Sequence, residues 1–174
     1  MIETRIDPRV LRGALGRFTT GVVVVTAQTD QGLPFGMTVN SFTSVSLEPP
    51  IVLFCVSRAS QLHPLFTSGS DFAINVLAES QKALSLCFAK PGLDRFGILA
   101  YQTGRNGVPV LPGALAVLEC AKVQVVEAGD HDIVLGSVEA LTTGQEPLPD
   151  PLVFFAGAYR RLDHQHADWW TAFT

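Results

Sequence analysis

Cysteine is scarce in this chain and gives no basis for a disulfide framework or a zinc site. Of the 174 residues only three are cysteines, Cys55, Cys87 and Cys120, and each lies in an apolar run. An odd number without paired spacing is unlike a disulfide-rich secreted domain or a cysteine zinc site. Because free cysteine is among the most frequently buried residue types, we expect three reduced thiols in the core.

Charged residues are also few, and the basic ones are outnumbered. Asp, Glu, Lys and Arg make up 16% of the chain, and 12 basic against 16 acidic side chains give a net charge of −4. Without a basic field, the chain lacks the electrostatic footprint of a protein that binds nucleic acid or anionic lipid. An anionic ligand must therefore be held by local donors. The low charge and the 47% hydrophobic content also favour an oligomer that covers apolar surface.

The sequence has no pattern typical of secretion or of a membrane span. The segment MIETRIDPRVLRGALGRF at the start contains charges of both signs and no continuous apolar stretch, unlike a signal peptide. Charges, glycine or proline interrupt every apolar run before it reaches the length of a membrane span. We therefore expect a cytoplasmic protein that has neither a membrane nor a nucleic acid as partner.

Common catalytic signatures are missing as well. There is no G-x-G-x-x-G of a Rossmann nucleotide fold and no G-x-S-x-G elbow of a hydrolase. His164 and His166 have a spacing that metal ligands use, but they lie in a polar tail beside Trp169 and Trp170. We expect no metal site in this tail, and we expect the two tryptophans to pack it against the body or a partner subunit.

Strand patterns dominate the rest of the chain. Asp7-Pro8 is typical of a helix start, and apolar residues then recur at helical spacing as far as Phe18. Runs of β-branched or alternating apolar residues predict strands at 22–27, 33–40, 51–56, 71–77, 115–129, 130–142 and 152–162. Short helices are expected at 60–67 and, capped by Ser80, at 80–88. The glycine- and proline-rich stretch 89–112 predicts a long irregular loop.

These elements predict a mainly β protein, an antiparallel β-barrel with a few peripheral helices. The strands do not alternate with helices in the βαβ order of a parallel sheet. No repeat and no linker divides the chain, so we expect one domain over residues 1–174. Its core is expected at about 10–162, and a polar C-terminal tail at 163–174.

Three polar segments next to predicted strands are candidates for ligand binding. Residues 38–46 concentrate hydroxyls and an amide, which suit the edge of a planar polar ring. Residues 57–60 place an arginine and two serines before a helical turn, an arrangement that suits a phosphate. Residues 129–131 place a histidine in a turn, where it can donate to a ligand. Taken singly, each segment also fits the commoner interpretation of a polar turn, a helix cap or an exposed histidine.

Four segments, taken in order, form a more specific pattern. They are FTTGVVVVTA at 18–27, GMTVNSFTSVSLEPPIVLFCV at 36–56, DFAINVLAESQKALSLCFA at 71–89 with DRF at 94–96, and GDH at 129–131. Together they resemble the flavin reductase-like family, the reductase components of two-component flavin-dependent monooxygenases, which have an FMN-binding split barrel. The string T-V-N-S-F-x-S-V-S-x-x-P-P is the most specific part, and the resemblance runs from about Val10 to Leu162.

The resemblance implies an NAD(P)H:flavin oxidoreductase. Such an enzyme reduces FMN or FAD with a hydride from NADH or NADPH and supplies the reduced flavin to a partner monooxygenase. The family also implies a homodimer with the flavin near the subunit interface.

Site residues follow from the same resemblance. His131 is the implied nicotinamide contact and is expected to orient that ring without transferring a proton. The implied flavin contacts are Thr38, Val39, Asn40 and Ser41 at the isoalloxazine ring, Ser57, Arg58, Ala59 and Ser60 at the ribityl chain and phosphate, Phe88, Ala89 and Lys90 in the rest of the cradle, and Arg95 and Tyr159 as further candidates.

A flavin-binding electron carrier or storage protein without nicotinamide turnover is the alternative function. The GDH triplet favours the reductase, because a storage protein has no use for a nicotinamide contact. An oxidase of the pyridoxamine-phosphate type needs a basic cluster for a second phosphate, whereas the nine arginines and three lysines are scattered here. One departure concerns the C-terminal part, where many relatives read PLxYYRGRYRRL and this chain reads PLVFFAGAYRRL. Ala156 and Ala158 therefore stand where positive or polar side chains are common.

Overall fold

Strands are the main secondary structure of this protein. The computed structural model describes residues 6–90, 95–144, 147 and 149–163. Its helices are α1 (Pro8–Leu15), α2 (His63–Ser68) and α3 (Lys82–Ala89), and 3₁₀ turns lie at Glu79–Gln81 and Arg105–Gly107. Its strands are β1 (Thr20–Gly21), β2 (Val23–Gln28), β3 (Pro34–Val39), β4 (Thr43–Leu47), β5 (Pro50–Ser57), β6 (Asp71–Val76), β7 (Gln102–Thr103), β8 (Pro109–Val110), β9 (Ala116–Ala128), β10 (His131–Thr143), β11 (Val153–Phe155) and β12 (Ala158–Arg160).

A seven-stranded antiparallel sheet forms the body of the fold. Its strand order is β3-β2-β6-β9-β10-β5-β4. Two smaller antiparallel sheets, β1-β11-β12 and β7-β8, accompany it. The prediction of a mainly β, antiparallel fold with a few helices is therefore confirmed.

The core follows from the alternation of side chains along the strands. On β5, Val52, Phe54 and Val56 are buried, and the residues between them are half-buried. The first half of β10 alternates in the same way. Phe54 packs edge-on against Phe66 of α2 and Phe72 of β6, with ring centroids 5.4 and 5.2 Å apart. One face of these two strands therefore belongs to the core, and the other face remains available for a site.

A buried amide fixes the segment that precedes β9. The side chain of Asn75 donates to the carbonyl oxygen of Val24 at 3.0 Å and accepts from the backbone N–H of Leu111 at 2.8 Å. The hydroxyl of Thr26, also fully buried, donates to the carbonyl oxygen of Pro109. Since a buried polar group without a partner is costly, these bonds hold residues 109–111 against the sheet.

The predicted helix after Asp7 is confirmed, although it is shorter than expected. The Asp7 carboxylate accepts from the backbone N–H of Arg9 at 2.7 Å, which is the expected N-cap. The helix ends at Leu15 with Gly16 as its C-cap, before the last apolar residue of the predicted pattern, Phe18. The strands predicted at 22–27, 33–40, 51–56, 71–77, 115–129 and 130–142 are found with shifts of one or a few residues at their ends.

Four local predictions were wrong. Residues 41–46 are not simply a polar turn, because β4 pairs with β5 there, and hydroxyl side chains are well tolerated on an exposed edge strand. The strand predicted at 152–162 is two strands, since Ala156 and Gly157 adopt positive φ of 50° and 78° and reverse the chain. Ser80 is not a helix cap but lies inside the 3₁₀ turn before α3. The stretch 89–112 contains β7, a 3₁₀ turn and β8.

Some predictions lie outside the described residues. These concern the expected lack of a metal site at His164 and His166, the packing of Trp169 and Trp170, and Asp94 of the DRF segment. Within the described part of the chain, no group of three or more His, Cys, Asp and Glu is arranged to hold a metal ion. In that same part, no helix has the length and apolar character that crossing a membrane requires.

The three cysteines are free thiols, but only one is a core residue. Cys120 is buried, and burial raises the pKa of its thiol to about 12. Cys55 and Cys87 are half-buried, so the prediction of three core cysteines holds for Cys120 alone.

Candidate functional site

One cavity gathers residues that are far apart in the sequence. Its volume of about 560 Å³ lies in the range of about 300–1,000 Å³ that is typical of small-molecule sites. Of the fourteen predicted site residues, eleven line it. The lining residues are Met37, Thr38, Val39, Asn40, Ser41, Cys55, Ser57, Ala59, Ser60, Gln61, Leu62, Phe88, Ala89, Lys90 and His131.

The first wall of the cavity is the end of β3 and the residues that follow it. The Thr38 hydroxyl donates to the carbonyl oxygen of Ser85 at 2.7 Å, which ties β3 to α3. The Ser41 hydroxyl oxygen accepts from the backbone N–H of Cys55 at 3.0 Å, which ties the β3–β4 connection to β5. Asn40 is exposed at the rim, where its amide can both donate and accept.

The second wall is the turn between β5 and α2. The Ser57 hydroxyl oxygen accepts from the backbone N–H of Ala59 at 3.3 Å, and the Ser60 hydroxyl oxygen accepts from that of Leu62 at 3.2 Å. Because each oxygen acts as an acceptor in these bonds, each O–H hydrogen remains free to donate. This turn can therefore offer two neutral donors to an anionic group in the cavity.

The third wall is the C-terminal end of α3, which supplies Phe88, Ala89 and Lys90. Lys90 is the sole cationic side chain that lines the cavity within the described residues. Arg95, only 7% exposed, does not line the cavity. Its guanidinium donates to the carbonyl oxygen of Phe88 at 3.2 Å and to that of Lys90. Arg95 thus caps the last carbonyl groups of α3 and holds this wall in place.

His131 completes the cavity from the β9–β10 hairpin. It is the first residue of β10 and pairs with Ser57 of β5, so the hairpin lies beside the second wall. Its Nδ1 is 2.8 Å from the Asp130 carboxylate, and this hydrogen bond holds the pKa of Asp130 below its usual value. The ring is thereby oriented through one nitrogen, which leaves the other nitrogen for a ligand.

Arg58 lies in the second wall, but its side chain does not line the cavity. Its Nε donates to Asp132 Oδ1 at 2.7 Å, and its Nη2 is 3.1 Å from Glu127 Oε2. His63 Nε2 is 2.8 Å from the second oxygen of Asp132. The hydrogen bonds from His63 and Arg58 hold the pKa of Asp132 below its usual value, and the bonds to Asp132 and Glu127 raise the pKa of Arg58.

Tyr159 lies behind the first and third walls. Its hydroxyl is 2.8 Å from Ser85 Oγ, and the Lys82 ammonium is 5.4 Å from the centroid of its ring. It lines a separate cavity of about 180 Å³ that shares residues such as Thr38 and Ala89 with the larger one. Tyr159 therefore supports the wall without facing the main cavity.

Four lining residues were not anticipated from the sequence: Met37, Cys55, Gln61 and Leu62. Cys55 could have been found, because residues two apart on a strand share a face and Ser57 was already a candidate. Gln61 and Leu62 simply extend the segment 57–60. The bond between His63 and Asp132 had no local signal, because 69 residues separate the two.

A family profile described as "Flavin reductase like domain" matches residues 15–163. The chain belongs to this family. The resemblance inferred from the four sequence segments is therefore confirmed, and the matched range contains every residue that lines the cavity.

Individual relatives agree with this assignment. The FMN reductase (NADH) SmoA of Agrobacterium fabrum is 47% identical over 159 residues, which cover 91% of this chain and 88% of that protein. A probable flavin reductase of Rhizobium meliloti is 49% identical over 134 residues, 77% of this chain, but the match spans only 43% of that protein. The structure of the NADH:FAD oxidoreductase SgcE6 of Streptomyces globisporus C-1027, solved with NAD and FAD fragments, matches with a TM-score of 0.85 at 40% identity. The match covers 93% of this chain and 98% of the SgcE6 chain. The predicted split-barrel fold is thereby confirmed.

The lining of the cavity fits a flavin nucleotide. Apolar side chains such as Met37 and Val39 offer contact area to a ring system, and Asn40 offers a polar group at the rim. The serine hydroxyls of the second wall and the ammonium group of Lys90 suit a phosphate.

Replacing Arg95 tests whether it holds the third wall. We expect Arg95→Met to lower the free energy of unfolding by about 1–3 kcal/mol, because two carbonyl groups at the end of α3 lose their donor. Urea unfolding of the purified protein measures this change. Arg105→Met, at an exposed position, is the control and should be close to wild type. Equal stability of the two variants would contradict the capping role of Arg95.

Proposed function

We propose that the chain is an NADH-dependent flavin reductase, which transfers a hydride from the nicotinamide to oxidised FMN or FAD. The proposal rests on one observation: His131 and the three candidate walls line the same cavity. The similarity to SmoA, named an FMN reductase (NADH), and to SgcE6, named an NADH:FAD oxidoreductase, supports it. Other relatives are named as reductase subunits of flavin-dependent monooxygenases, which supports delivery of the reduced flavin to a partner monooxygenase.

The residues of the chain act by binding and orienting. When bound, the flavin supplies the ring that accepts the hydride. Thr38, Val39, Asn40 and Ser41 hold the edge of that ring, and Phe88 and Ala89 close the third wall. The hydroxyls of Ser57 and Ser60 and the Lys90 ammonium bind the phosphate.

His131 orients the nicotinamide through the ring nitrogen that Asp130 leaves free. This transfer requires close placement of the two rings and no proton-transfer residue. The lack of a catalytic triad or carboxylate pair in the sequence agrees with this requirement.

The direct test follows NADH and NADPH absorbance in air with FMN, FAD or riboflavin added separately. We expect rapid oxidation of NADH that depends on added FMN or FAD. Riboflavin lacks the phosphate that Ser57, Ser60 and Lys90 bind, so its KM should be about tenfold higher. A slow rate with every flavin, from protein shown to be folded, would contradict the proposed function. Oxidation without added flavin would instead mean a tightly held flavin.

A substitution at His131 tests the nicotinamide contact. We expect His131→Ala to raise the KM for NADH about tenfold while the Kd for flavin changes less than about twofold, because the histidine is assigned to the nicotinamide side. Steady-state kinetics and flavin fluorescence measure the two quantities. Gln31→Ala, an exposed change outside the lining of the cavity, is the control. An unchanged KM for NADH in His131→Ala would remove the histidine from this role.

A homodimer completes the proposal. The face of β5 and β10 that carries Ser57 and His131 continues into half-buried apolar residues, among them Leu53 and Leu135, which pair with each other. An apolar face of this kind, adjoining a cavity, is typical of a subunit interface. We place the second subunit there, and we place the enzyme in the cytoplasm, where cysteines such as Cys55 stay reduced.

The oligomeric state is measured by size-exclusion chromatography with light scattering. We expect wild type to have twice the monomer mass of 18.7 kDa. Leu135→Glu should shift the protein to the monomer mass, because a charge on the apolar face cannot be buried without a partner. Gln31→Glu, in an exposed hairpin turn, should stay dimeric. A monomeric wild type would contradict the dimer.

A further inference from the structure

Asp132 is the centre of a charge network that the flavin reductase chemistry does not require. Its carboxylate is 9% exposed and uses both oxygens, one for Arg58 at 2.7 Å and one for His63 at 2.8 Å. The network becomes more exposed outward, since His63 is 22%, Arg58 40% and Glu127 84% exposed. The carboxylate is therefore the inner anchor, and Glu127 is a solvated outer contact.

The two partners of Asp132 flank residues 59–62 of the second cavity wall. Arg58 precedes residues 59–62 and His63 follows them, and all four of those residues line the cavity. Within the segment, the backbone bonds are local turns, from Ser60 N–H to the Ser57 carbonyl at 2.9 Å and from His63 N–H to the Ser60 carbonyl at 3.0 Å. Such turns set the curvature of a segment but do not place it against the sheet. The backbone N–H of Arg58 also donates to the Asp130 carbonyl at 3.0 Å, so the same hairpin holds the start of the segment twice.

Asp132 is also the direct chain neighbour of His131. Successive residues of a strand face opposite sides, and accordingly His131 lines the cavity while Asp132 is buried on the inner face. One strand end thus supplies both the nicotinamide contact and the anchor of the wall assigned to the flavin phosphate.

We propose that Asp132, together with His63, is a positioning residue for flavin binding, which clamps both ends of the segment 59–62 so that the Ser60 hydroxyl is presented to the flavin phosphate. This inference rests on the proposed function, because it assigns the cavity to a flavin. Asp132 acts through Arg58 and His63 and does not touch the ligand. Arg58 is accordingly assigned to the clamp and not to the phosphate.

Three variants test the clamp through the Kd for FMN, measured by quenching of flavin fluorescence. Asp132→Ala removes the hydrogen bonds to both Arg58 and His63 and should raise the Kd for FMN about tenfold or more. His63→Ala removes one of these two bonds and should raise the Kd about threefold. Glu127→Gln is the matched control, since it removes a charge from the exposed end of the same network, and its Kd should stay within about twofold of wild type.

A kinetic split separates positioning from general destabilisation. At saturating FMN the kcat of Asp132→Ala and His63→Ala should stay within about twofold of wild type, and the KM for NADH should not change, because only the flavin wall is loosened. Thermal unfolding without flavin establishes that each variant is folded. If Asp132→Ala does not fold, the comparison of flavin affinity with kcat is made with His63→Ala instead, because the His63 ring is more exposed.

Each contrary outcome has its own meaning. Wild-type Kd values in both Asp132→Ala and His63→Ala would overturn the clamp while leaving the proposed function intact. An equal loss in Glu127→Gln, or a fall in kcat with an unchanged KM for FMN, would also overturn it. Failure of the wild-type protein itself to bind FMN would overturn the proposed function and the clamp with it.

Discussion

The antiparallel pairing of β5 with β10 is the constraint on which the rest of the site depends. It sets Ser57 opposite His131, and so brings the turn after β5 and the β9–β10 hairpin to the same edge of the sheet. Main-chain hydrogen bonds fix this register, and a slip of one residue would exchange the two faces of each strand. The serine hydroxyls and the histidine ring therefore meet because of backbone pairing, and not because of any contact between their own side chains.

The same alternation divides the chemistry of the molecule between two faces. Phe54 and Val134 are fully buried on the inner face, whereas Cys55 and His131 line the cavity on the other. Asp132 is the exception, a carboxylate on the inner face at the end of the strand. It is tolerated there because both of its oxygens are paired, since a buried charge without partners is costly.

The few cations of this chain are used mainly for structure near the site. Arg58 is bound to Asp132 and Glu127, and Arg95 to the carbonyl groups at the end of α3. Lys90 and neutral hydroxyls remain for an anionic ligand. Neutral donors bind a phosphate less strongly than a cluster of arginines does. A site of this composition agrees with a flavin that enters, is reduced and leaves.

The sequence by itself determined the fold class, the family and most of the lining of the cavity. Alternating and β-branched runs specify strands locally, and the string from Thr38 to Pro50, the turn at 57–60 and the GDH triplet are each contiguous, so they can be recognised without a structure. Only the tertiary structure decided what the charged side chains contact. The sequence pattern assigned Arg58 to the phosphate and gave Arg95 as a further candidate, but Arg58 is bound to Asp132 and Arg95 to the end of α3. The partner His63 lies 69 residues from Asp132. Strand pairing at long range creates such contacts, and no local pattern records which distant residue a side chain will meet.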